Sequence, residues 1–81
     1  MPNALTRASG VVGAKQVRRA MDAGRAKAVW LAADADPGLT GPIAALCAER
    51  GIPVEIAGSM KELGRVCGIA VGAAVAAVVD H

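Results

Sequence analysis

Apolar positions follow two different periods along this chain, and glycines mark where one gives way to the other. Residues 9–13 form a short extended segment between glycines. Val17 and Met21, four positions apart, then predict a helix over 14–23. The segment 28–33 is continuously apolar and has the length of a strand, as expected for a strand that is covered on both faces.

A second helix and a further strand follow from the same kind of pattern. Asp36 is suited to cap a helix N-terminus and Pro37 to occupy its first turn, so a helix is predicted from this point to Gly51. Glycine at its end is typical of a helix stop. Residues 53–57 then show the alternation that is typical of a strand, with Glu55 between Val54 and Ile56.

The last part of the chain predicts one more helix and one more strand. Ser59 and Glu62 have the spacing of a capping box and open a short helix that ends before Gly68. Its apolar stripe is predicted to consist of Met60, Leu63 and Cys67. The segment 73–79 is compatible with helix or strand on its own, but its valine-rich end and its position after a helix favour a buried strand.

The alternation of strands and helices predicts an α/β protein, specifically a three-layer α/β/α sandwich with a four-stranded mixed sheet. A chain of 81 residues suffices for one domain, so residues 1–81 are expected to form a single domain. Hydrophobic residues make up 54% of the chain but aromatic residues only 1%, so we expect helices to pack closely on a sheet of small side chains.

Few residues are suited to catalysis or metal binding. The single histidine, His81, is the last residue and is expected to be solvated. Asp34 and Asp36 are interpreted as a turn residue and a helix cap rather than as a ligand-binding carboxylate pair. Cys47 and Cys67 are interpreted as small buried hydrophobes rather than as nucleophiles. Because no Cys/His cluster has metal-ligand spacing, we predict a protein that is not an enzyme and needs no cofactor or metal.

The remaining sequence patterns bear on nucleotide binding and on the cellular location of the protein. Neither G-x-G-x-x-G nor G-x-x-x-x-G-K-[ST] occurs, so the glycines match no nucleotide-binding motif. The N-terminal residues lack the pattern of a signal peptide, and the nearly uncharged run 69–79 is shorter than a membrane-spanning helix requires. The chain also lacks the cysteine density of small secreted domains. We therefore expect a cytoplasmic monomer that does not bind membranes.

Basic residues cluster at the start of the first predicted helix. The chain carries 9 Lys and Arg against 7 Asp and Glu, and Lys15, Arg18 and Arg19 lie within a few positions of one another. A run of charge on a helix is most often a solvated face. Here Gly13 directly precedes the helix, so backbone amides at the positive end of its dipole lie beside long cationic side chains. This arrangement suits phosphate groups or the acceptor-rich edges of bases.

Five segments in a fixed order carry a family resemblance: residues 13–20, 29–37, 51–54, 59–64 and 67–69. With these spacings the chain resembles the ribosomal protein L7Ae/L30e family, particularly its short, YbxF-like bacterial members, from about Ser9 to Val79. The resemblance implies an α/β/α sandwich that binds kink-turns in structured or ribosomal RNA, so the expected partners are RNA and, through it, the ribosome. Kink-turns are RNA internal loops in which sheared G·A pairs follow a bulge and bend the duplex sharply.

The resemblance also implies which residues contact RNA. The helix that begins after its glycine would enter the widened major groove and read guanines. A hydrophobic loop before the last strand would pack against the bulged nucleotides, and a lysine of the third helix would contact the RNA backbone. The RNA-binding residues implied in this way are Gly13, Lys15, Gln16, Arg19, Lys61, Ile69, Ala70 and Val71.

Two questions stay open at this point. Many archaeal and eukaryotic relatives carry Asn-Glu where this chain has Lys15 and Gln16, so Lys15 is suited either to reading a base or to holding a phosphate. The alternative function is a protein-interaction or ribosome-assembly module that keeps this fold without reading RNA. An open basic face at Lys15 and Arg19 favours RNA as the partner, because a protein-interaction module has no need of it.

Overall fold

The computed structural model describes residues 10–68 and 72–79, and within them the chain alternates between strands and helices. The strands are β1 (Gly10–Val12), β2 (Ala26–Ala32), β3 (Val54–Ala57) and β4 (Val75–Val79), and the helices are α1 (Ala14–Asp22), α2 (Pro37–Arg50) and α3 (Met60–Val66). Each of these elements was expected from the sequence, with bounds that differ by one or two residues.

The strands form one four-stranded mixed sheet, as the sequence predicts, and their order in it is β1-β4-β2-β3. Both β1 and β2 are antiparallel to β4, and β3 is parallel to β2. It follows that β1, β2 and β3 run in the same direction. Because a helix follows each of these three strands, α1, α2 and α3 all begin at one end of the sheet, which we call the helix-start end.

Alternate residues of the central strands β2 and β4 point to opposite faces of the sheet, and each face carries its own apolar cluster. One cluster joins α1 and α2 to the sheet through Val17, Met21, Val29, Leu31, Ile43, Cys47, Val75 and Ala77. The other joins α3 to the opposite face through Trp30, Ala32, Ala35, Ala57, Leu63, Cys67, Ala73 and Ala76. The three-layer α/β/α sandwich predicted from the sequence is therefore confirmed.

Two of the helix starts are capped as the sequence predicts. Asp36 Oδ1 accepts a hydrogen bond from the Gly38 N–H at 2.9 Å, and Pro37 occupies the first turn of α2. Ser59 Oγ accepts a hydrogen bond from the Glu62 N–H at 3.0 Å at the start of α3. Each bond satisfies an amide that has no partner inside its helix.

Two interpretations made from the sequence need correction. Met60, placed on the buried stripe of α3, has an exposed fraction of 37%, whereas Leu63 and Cys67 are buried as predicted. Asp34 is more than a turn residue, because its Oδ1 accepts a hydrogen bond from the Met60 N–H at 2.7 Å. Met60 lies at the start of α3, where its backbone rather than its side chain makes the principal contacts.

Both cysteines behave as the buried hydrophobes that the sequence predicts. Cys47 belongs to the apolar cluster that joins α1 and α2 to the sheet, and Cys67 belongs to the cluster that joins α3 to the opposite face. Neither cysteine is in a disulfide. Burial raises the pKa of both thiols, which disfavours the reactive thiolate. Over residues 10–68 and 72–79, no helix is long and apolar enough to cross a membrane, and no group of three or more His, Cys, Asp or Glu could hold a metal ion.

Candidate nucleic-acid interface

Gly13 is the residue at which β1 gives way to α1. Its φ of +101° and ψ of 143° form a combination that residues with a Cβ rarely adopt, so glycine is required here. The Gly13 N–H donates to the Val75 carbonyl oxygen at 2.9 Å, and the Gly13 carbonyl accepts from the Val17 N–H at 2.9 Å. The start of α1 is therefore fixed to the first residue of β4.

The start of α1 differs from the other two starts at the helix-start end. In the described part of the chain, α1 alone has no side-chain cap, whereas Asp36 caps α2 and Ser59 caps α3. Its first turn contains no acidic residue, which it shares with α2 but not with α3. The first-turn amides and the positive end of the α1 dipole are thus left to an external acceptor.

The cationic side chains of α1 are exposed and divide between two sides of the helix. Residues three or four positions apart are neighbours on a helix surface, so Lys15 adjoins both Arg18 and Arg19. The two outer pairs of this surface are Lys15 with Arg18 and Gln16 with Arg19. All four are exposed, while Val17 between them is fully buried against the sheet. The two pairs therefore form neighbouring stripes that flank the outer surface of α1.

The stripe of Gln16 and Arg19 faces a groove of about 330 Å³, which we call the β1-side groove. Its lining includes Val11 of β1 and Val79 of β4, and it extends to Arg25, just beyond the end of α1. Gln16 and Arg19, two of the residues that the sequence assigned to RNA reading, thus share one concave surface.

The stripe of Lys15 and Arg18 faces a separate groove of about 280 Å³, which we call the α2-side groove. Its opposite wall is apolar and belongs to α2, where Leu39 and Pro42 are both exposed. Gly38 belongs to the same lining. Pro42 has no N–H, so it cannot donate the helical hydrogen bond that residue 42 would otherwise make to the Gly38 carbonyl. Lys15 therefore lies in a different groove from Gln16 and Arg19.

Lys61, another of the sequence-predicted contacts, lies apart from α1. Lys61 is exposed in the first turn of α3, on the face of the sheet opposite to α1, although both helices begin at the helix-start end. The predicted hydrophobic loop of Ile69, Ala70 and Val71 lies outside the described residues, as does His81. Lys61 and Lys15 therefore lie at the same end of the sheet but on opposite faces of it.

An exposed ion pair lies at the far ends of the first two helices. Arg50 Nη2 lies 3.2 Å from Asp22 Oδ1 and joins the last residue of α2 to the last residue of α1. Both side chains are well exposed, so the pair contributes only about 0–1 kcal/mol. Its position keeps both charges at the opposite end of α1 from Gly13 and Lys15.

Sequence analysis placed Arg18 in the basic cluster but included neither Arg18 nor Arg25 among the RNA-binding residues, although both line a groove beside α1. The three-residue spacing of Arg18 from Lys15 is a signal that could have found the first. Arg25 has no such signal, because it reaches the groove only through the turn at Gly24, whose φ is +72°. Its position depends on that turn and on the Arg25 N–H, which donates to the Ala20 carbonyl at 2.9 Å.

Together, the fold and this surface define a small α/β/α binding module with an uncapped helix start between two basic grooves. A family model described as the ribosomal protein L7Ae/L30e/S12e/Gadd45 family matches residues 2–81. The chain therefore belongs to this family, as the sequence resemblance indicated.

Individual relatives agree with this assignment. The chain is 43% identical over 68 residues to the RNA-binding protein YbxF of Geobacillus stearothermophilus, which covers 84% of this chain and 83% of that protein. It is 41% identical over 68 residues to an RNA-binding protein of Bacillus pumilus, with the same coverage of 84% and 83%. The similarity to YbxF-like proteins expected from the sequence is confirmed.

Among solved structures, the fold is similar to that of the Giardia lamblia 15.5kD RNA binding protein. The TM-score is 0.87 at 30% sequence identity, and the match covers 98% of this chain and 70% of that one. A Bacillus halodurans protein of unknown function has a TM-score of 0.84 at 31% identity, covering 95% of this chain and 77% of that one.

Proposed function

We propose that this protein binds RNA and recognises kink-turn motifs through the start of α1. The observation that carries the proposal is the contrast between capped and uncapped helix starts. Asp36 and Ser59 cap α2 and α3, while α1 begins at Gly13 with no side-chain cap among the described residues and with exposed Lys15 beside it. Such a start can receive the oxygen acceptors of a nucleic acid.

The side chains around this start suit the major-groove edge of guanine. That edge presents two acceptors, N7 and O6, to which Lys15 and Arg19 can donate. Gln16 can both donate and accept, so it can address a neighbouring base. Regular A-form RNA hides these atoms in a deep and narrow groove, so a bent or widened site is needed to expose them.

The proposal includes residues that rest on the family resemblance rather than on contacts within the described chain. Lys61 is proposed to hold the RNA backbone from α3, and Ile69, Ala70 and Val71 are proposed to pack against unstacked bases. We further propose that the protein acts as a cytoplasmic monomer, because one copy presents the whole of α1 and both grooves.

A binding comparison tests the proposal. Two RNAs of equal length are prepared, one with a kink-turn and one in which Watson–Crick pairs replace the sheared G·A pairs and the bulge is removed. Affinities are measured at one fixed magnesium concentration, because magnesium itself folds kink-turns. We expect the kink-turn RNA to bind at least about tenfold more tightly, equivalent to about 1.4 kcal/mol. Equal affinities would contradict the proposal.

A second candidate function, protein interaction, has one observation in its favour. The edge strand β3 exposes two apolar side chains, Val54 at 36% and Ile56 at 64%. Exposed apolar edge strands are potential pairing surfaces for other chains. The variant Ile56→Ser separates the two functions, because it should weaken a protein contact at β3 while leaving RNA affinity at α1 unchanged.

A further inference from the structure

We infer that the free edge of β3 binds an extended segment of another protein, in which a lysine or arginine lies between two apolar residues. The segment adds a strand to the sheet beside Val54, Glu55 and Ile56. The inference goes beyond RNA binding and names the kind of partner that the second candidate function requires. It does not depend on α1, so the two proposals can fail separately.

The first argument is the exposure of β3 at the edge of the sheet. In the described part of the chain, β1 and β3 are the two edge strands. All three residues of β1 are half-buried, whereas Val54, Glu55 and Ile56 are all exposed. The pairing of β3 with β2 is regular throughout, without a bulge that would turn this edge away from a partner. Of the two edges, β3 is therefore the one that is open to another strand.

The second argument is the direction of the backbone groups of β3. The carbonyls of Pro53 and Ala57 each accept a hydrogen bond of 2.9 Å, one from an N–H of β2 and one from the residue directly after β2. Since a strand repeats every two residues, Glu55 faces β2 as well. The N–H and C=O groups of Val54 and Ile56 therefore point outward, where they are available to an added strand.

The side chains of β3 present an apolar surface on one face of the sheet and a carboxylate on the other. Val54 and Ile56 pair with residues of β2 that belong to the apolar cluster of α1 and α2, so their side chains lie on that face. Ile56 is nevertheless 64% exposed, so α2 does not cover it. Glu55 pairs with Trp30 and lies on the opposite face. A complementary strand needs apolar residues at two alternate positions and a residue that suits Glu55 between them.

The charge at the edge identifies that middle residue. Glu55 is exposed and forms no ion pair within residues 10–68 and 72–79. Residues 51–60 contain no lysine or arginine, so the charge of this edge disfavours nucleic acid as the partner. In antiparallel pairing, the residue opposite Glu55 occupies a non-hydrogen-bonded pair, in which the Cα atoms are only about 4.5 Å apart. A lysine or arginine at that position pairs with the carboxylate.

The same charge disfavours a second copy of this chain as the partner. Two β3 strands related by a two-fold axis would pair Val54 with Ile56 and would place Glu55 directly opposite its counterpart. Like charges at opposite positions of neighbouring strands destabilise the pairing. The partner is therefore a different chain that carries the opposite charge at this position.

β-Hairpin peptides test the inference on the intact protein. Each hairpin is closed by an Asn-Gly turn, which preorganises the strand that it offers to β3. The outer strand reads Val-Lys-Val in one peptide and Val-Glu-Val in the other. Affinities are measured by NMR titration at low salt, where charge pairs are screened least. The proteins are the wild type, Glu55→Lys and the matched control Glu49→Lys, which reverses an exposed charge on α2.

We expect the wild type and Glu49→Lys to prefer the lysine peptide by at least about fivefold, and Glu55→Lys to prefer the glutamate peptide. Hydrogen exchange locates the bound strand. The lysine peptide should slow exchange of the Val54 and Ile56 amides and leave the amides of α1 unchanged.

Three outcomes overturn the inference: no binding of either peptide, equal affinity of the wild type for both, or protection away from β3. Dimerisation of the wild type through β3, measured by sedimentation equilibrium, would also overturn it, because the occupant would then be a second copy. None of these results alters the preference for kink-turn RNA. A failure of that preference contradicts the proposed function and leaves the β3 edge unaffected.

Discussion

Asp34 Oδ1 accepts a hydrogen bond of 2.7 Å from the backbone N–H of Met60, a residue 26 positions further along the chain. The Met60 carbonyl in turn accepts from the Ala73 N–H at 2.9 Å. A Cβ added to Gly72 would lie only 3.1 Å from the Met60 Cβ, so this backbone passes close to α3. One residue of α3 thus connects the end of β2 with the segment that leads into β4.

Removal of this carboxylate should destabilise the protein modestly. Asp34→Ala leaves the Met60 N–H without its acceptor, much as the loss of a helix cap does, and should cost about 1 kcal/mol in the free energy of unfolding. The side chain is exposed, so water compensates for part of the loss. Urea denaturation followed by the fluorescence of Trp30, which is 4% exposed, measures the change.

Asp34→Asn is the matched control, because an amide oxygen can accept the same hydrogen bond. It should retain most of the stability that Asp34→Ala loses. If the two variants are equally destabilised, the Met60 bond is not the reason for the effect.

The backbone conformation at Gly13 predicts the effect of replacing this glycine by alanine. A Cβ added to Gly13 would meet no atom within 4 Å, so any effect of Gly13→Ala comes from its φ of +101° rather than from a clash. Strain in such a region costs about 1–3 kcal/mol. We expect thermal denaturation to show that loss, together with weaker binding of kink-turn RNA because the start of α1 shifts.

Gly38→Ala provides the comparison within a helix. Gly38 lies in the first turn of α2, and an added Cβ would make an ordinary 3.4 Å contact with Asp36 Oδ1. Its φ is not in the left-handed region, so alanine should be neutral or stabilise the protein by up to about 1 kcal/mol. If Gly38→Ala destabilises the protein as much as Gly13→Ala does, backbone conformation at Gly13 is not the reason for the effect of Gly13→Ala.

Individual substitutions on α1 should affect RNA affinity and not stability. Lys15→Ala and Arg19→Ala are each expected to cost about 1–3 kcal/mol in binding to a kink-turn RNA. Both side chains are exposed and neither belongs to an apolar cluster, so the melting temperature should stay within about 2–4 °C of the wild type. Isothermal titration and thermal melts on the same samples give the two quantities.

Lys27→Ala, near the start of β2 and thus at the opposite end of the sheet from the start of α1, serves as the control for loss of an exposed charge in that experiment. It should bind the RNA like the wild type. Unchanged affinity in both Lys15→Ala and Arg19→Ala would show that α1 does not read the RNA.

The salt dependence of RNA affinity distinguishes a protein that recognises RNA shape and bases from one that binds by charge alone. With a net charge of +2 and a few cations beside α1, the wild type should release the counterions of about 2–4 phosphates on binding. Affinity measured over a range of potassium chloride concentrations at fixed magnesium gives this number as a slope. A much steeper slope, like that of a strongly basic protein, would indicate that nonspecific charge dominates.

The buried thiols predict a loss of stability at alkaline pH. Burial raises the pKa of Cys47 and Cys67 above the ordinary value of 9.0, so the unfolded chain releases their protons first. Their contribution is fully present below pH 9.0 and is lost as the pH rises through the higher folded-state values. Urea denaturation at about pH 8 and about pH 10 should show this decline.

The double variant Cys47→Ala/Cys67→Ala isolates the contribution of the thiols. Its stability will be lower at neutral pH, because two buried side chains become smaller. The decline between the two pH values should nevertheless be shallower than in the wild type. An equal decline would show that the thiols are not the cause of the alkaline effect.

The fold was largely predictable because its signals are local. Asp36 with Pro37, and Ser59 with Glu62, mark helix starts by chemistry that acts within one turn. The order of the strands could not be predicted in this way. The position of β4 between β1 and β2 depends on contacts between residues that are distant in the sequence, and no short segment indicates it. Met60 was misplaced for the same reason, since its contacts with Asp34 and Ala73 span the chain.

The site was predictable only in part. Exposure of Lys15, Gln16 and Arg19 follows from their positions around the buried Val17, and the structure agrees. Their division between two grooves does not follow from α1 alone, because the grooves are made by β1 on one side and by α2 on the other. Arg25 could not be placed in advance, since a turn with positive φ at Gly24 sets its direction.

The central position of β4 has a consequence for synthesis of the protein. β4 supplies the partner of both β1 and β2, and it is the last element of the described chain to leave the ribosome. A nascent chain that ends at α3 has no Val75 to hold Gly13, and its first two strands have no partner between them. We therefore expect unfinished chains to lack any affinity for RNA, so that only completed molecules compete for it.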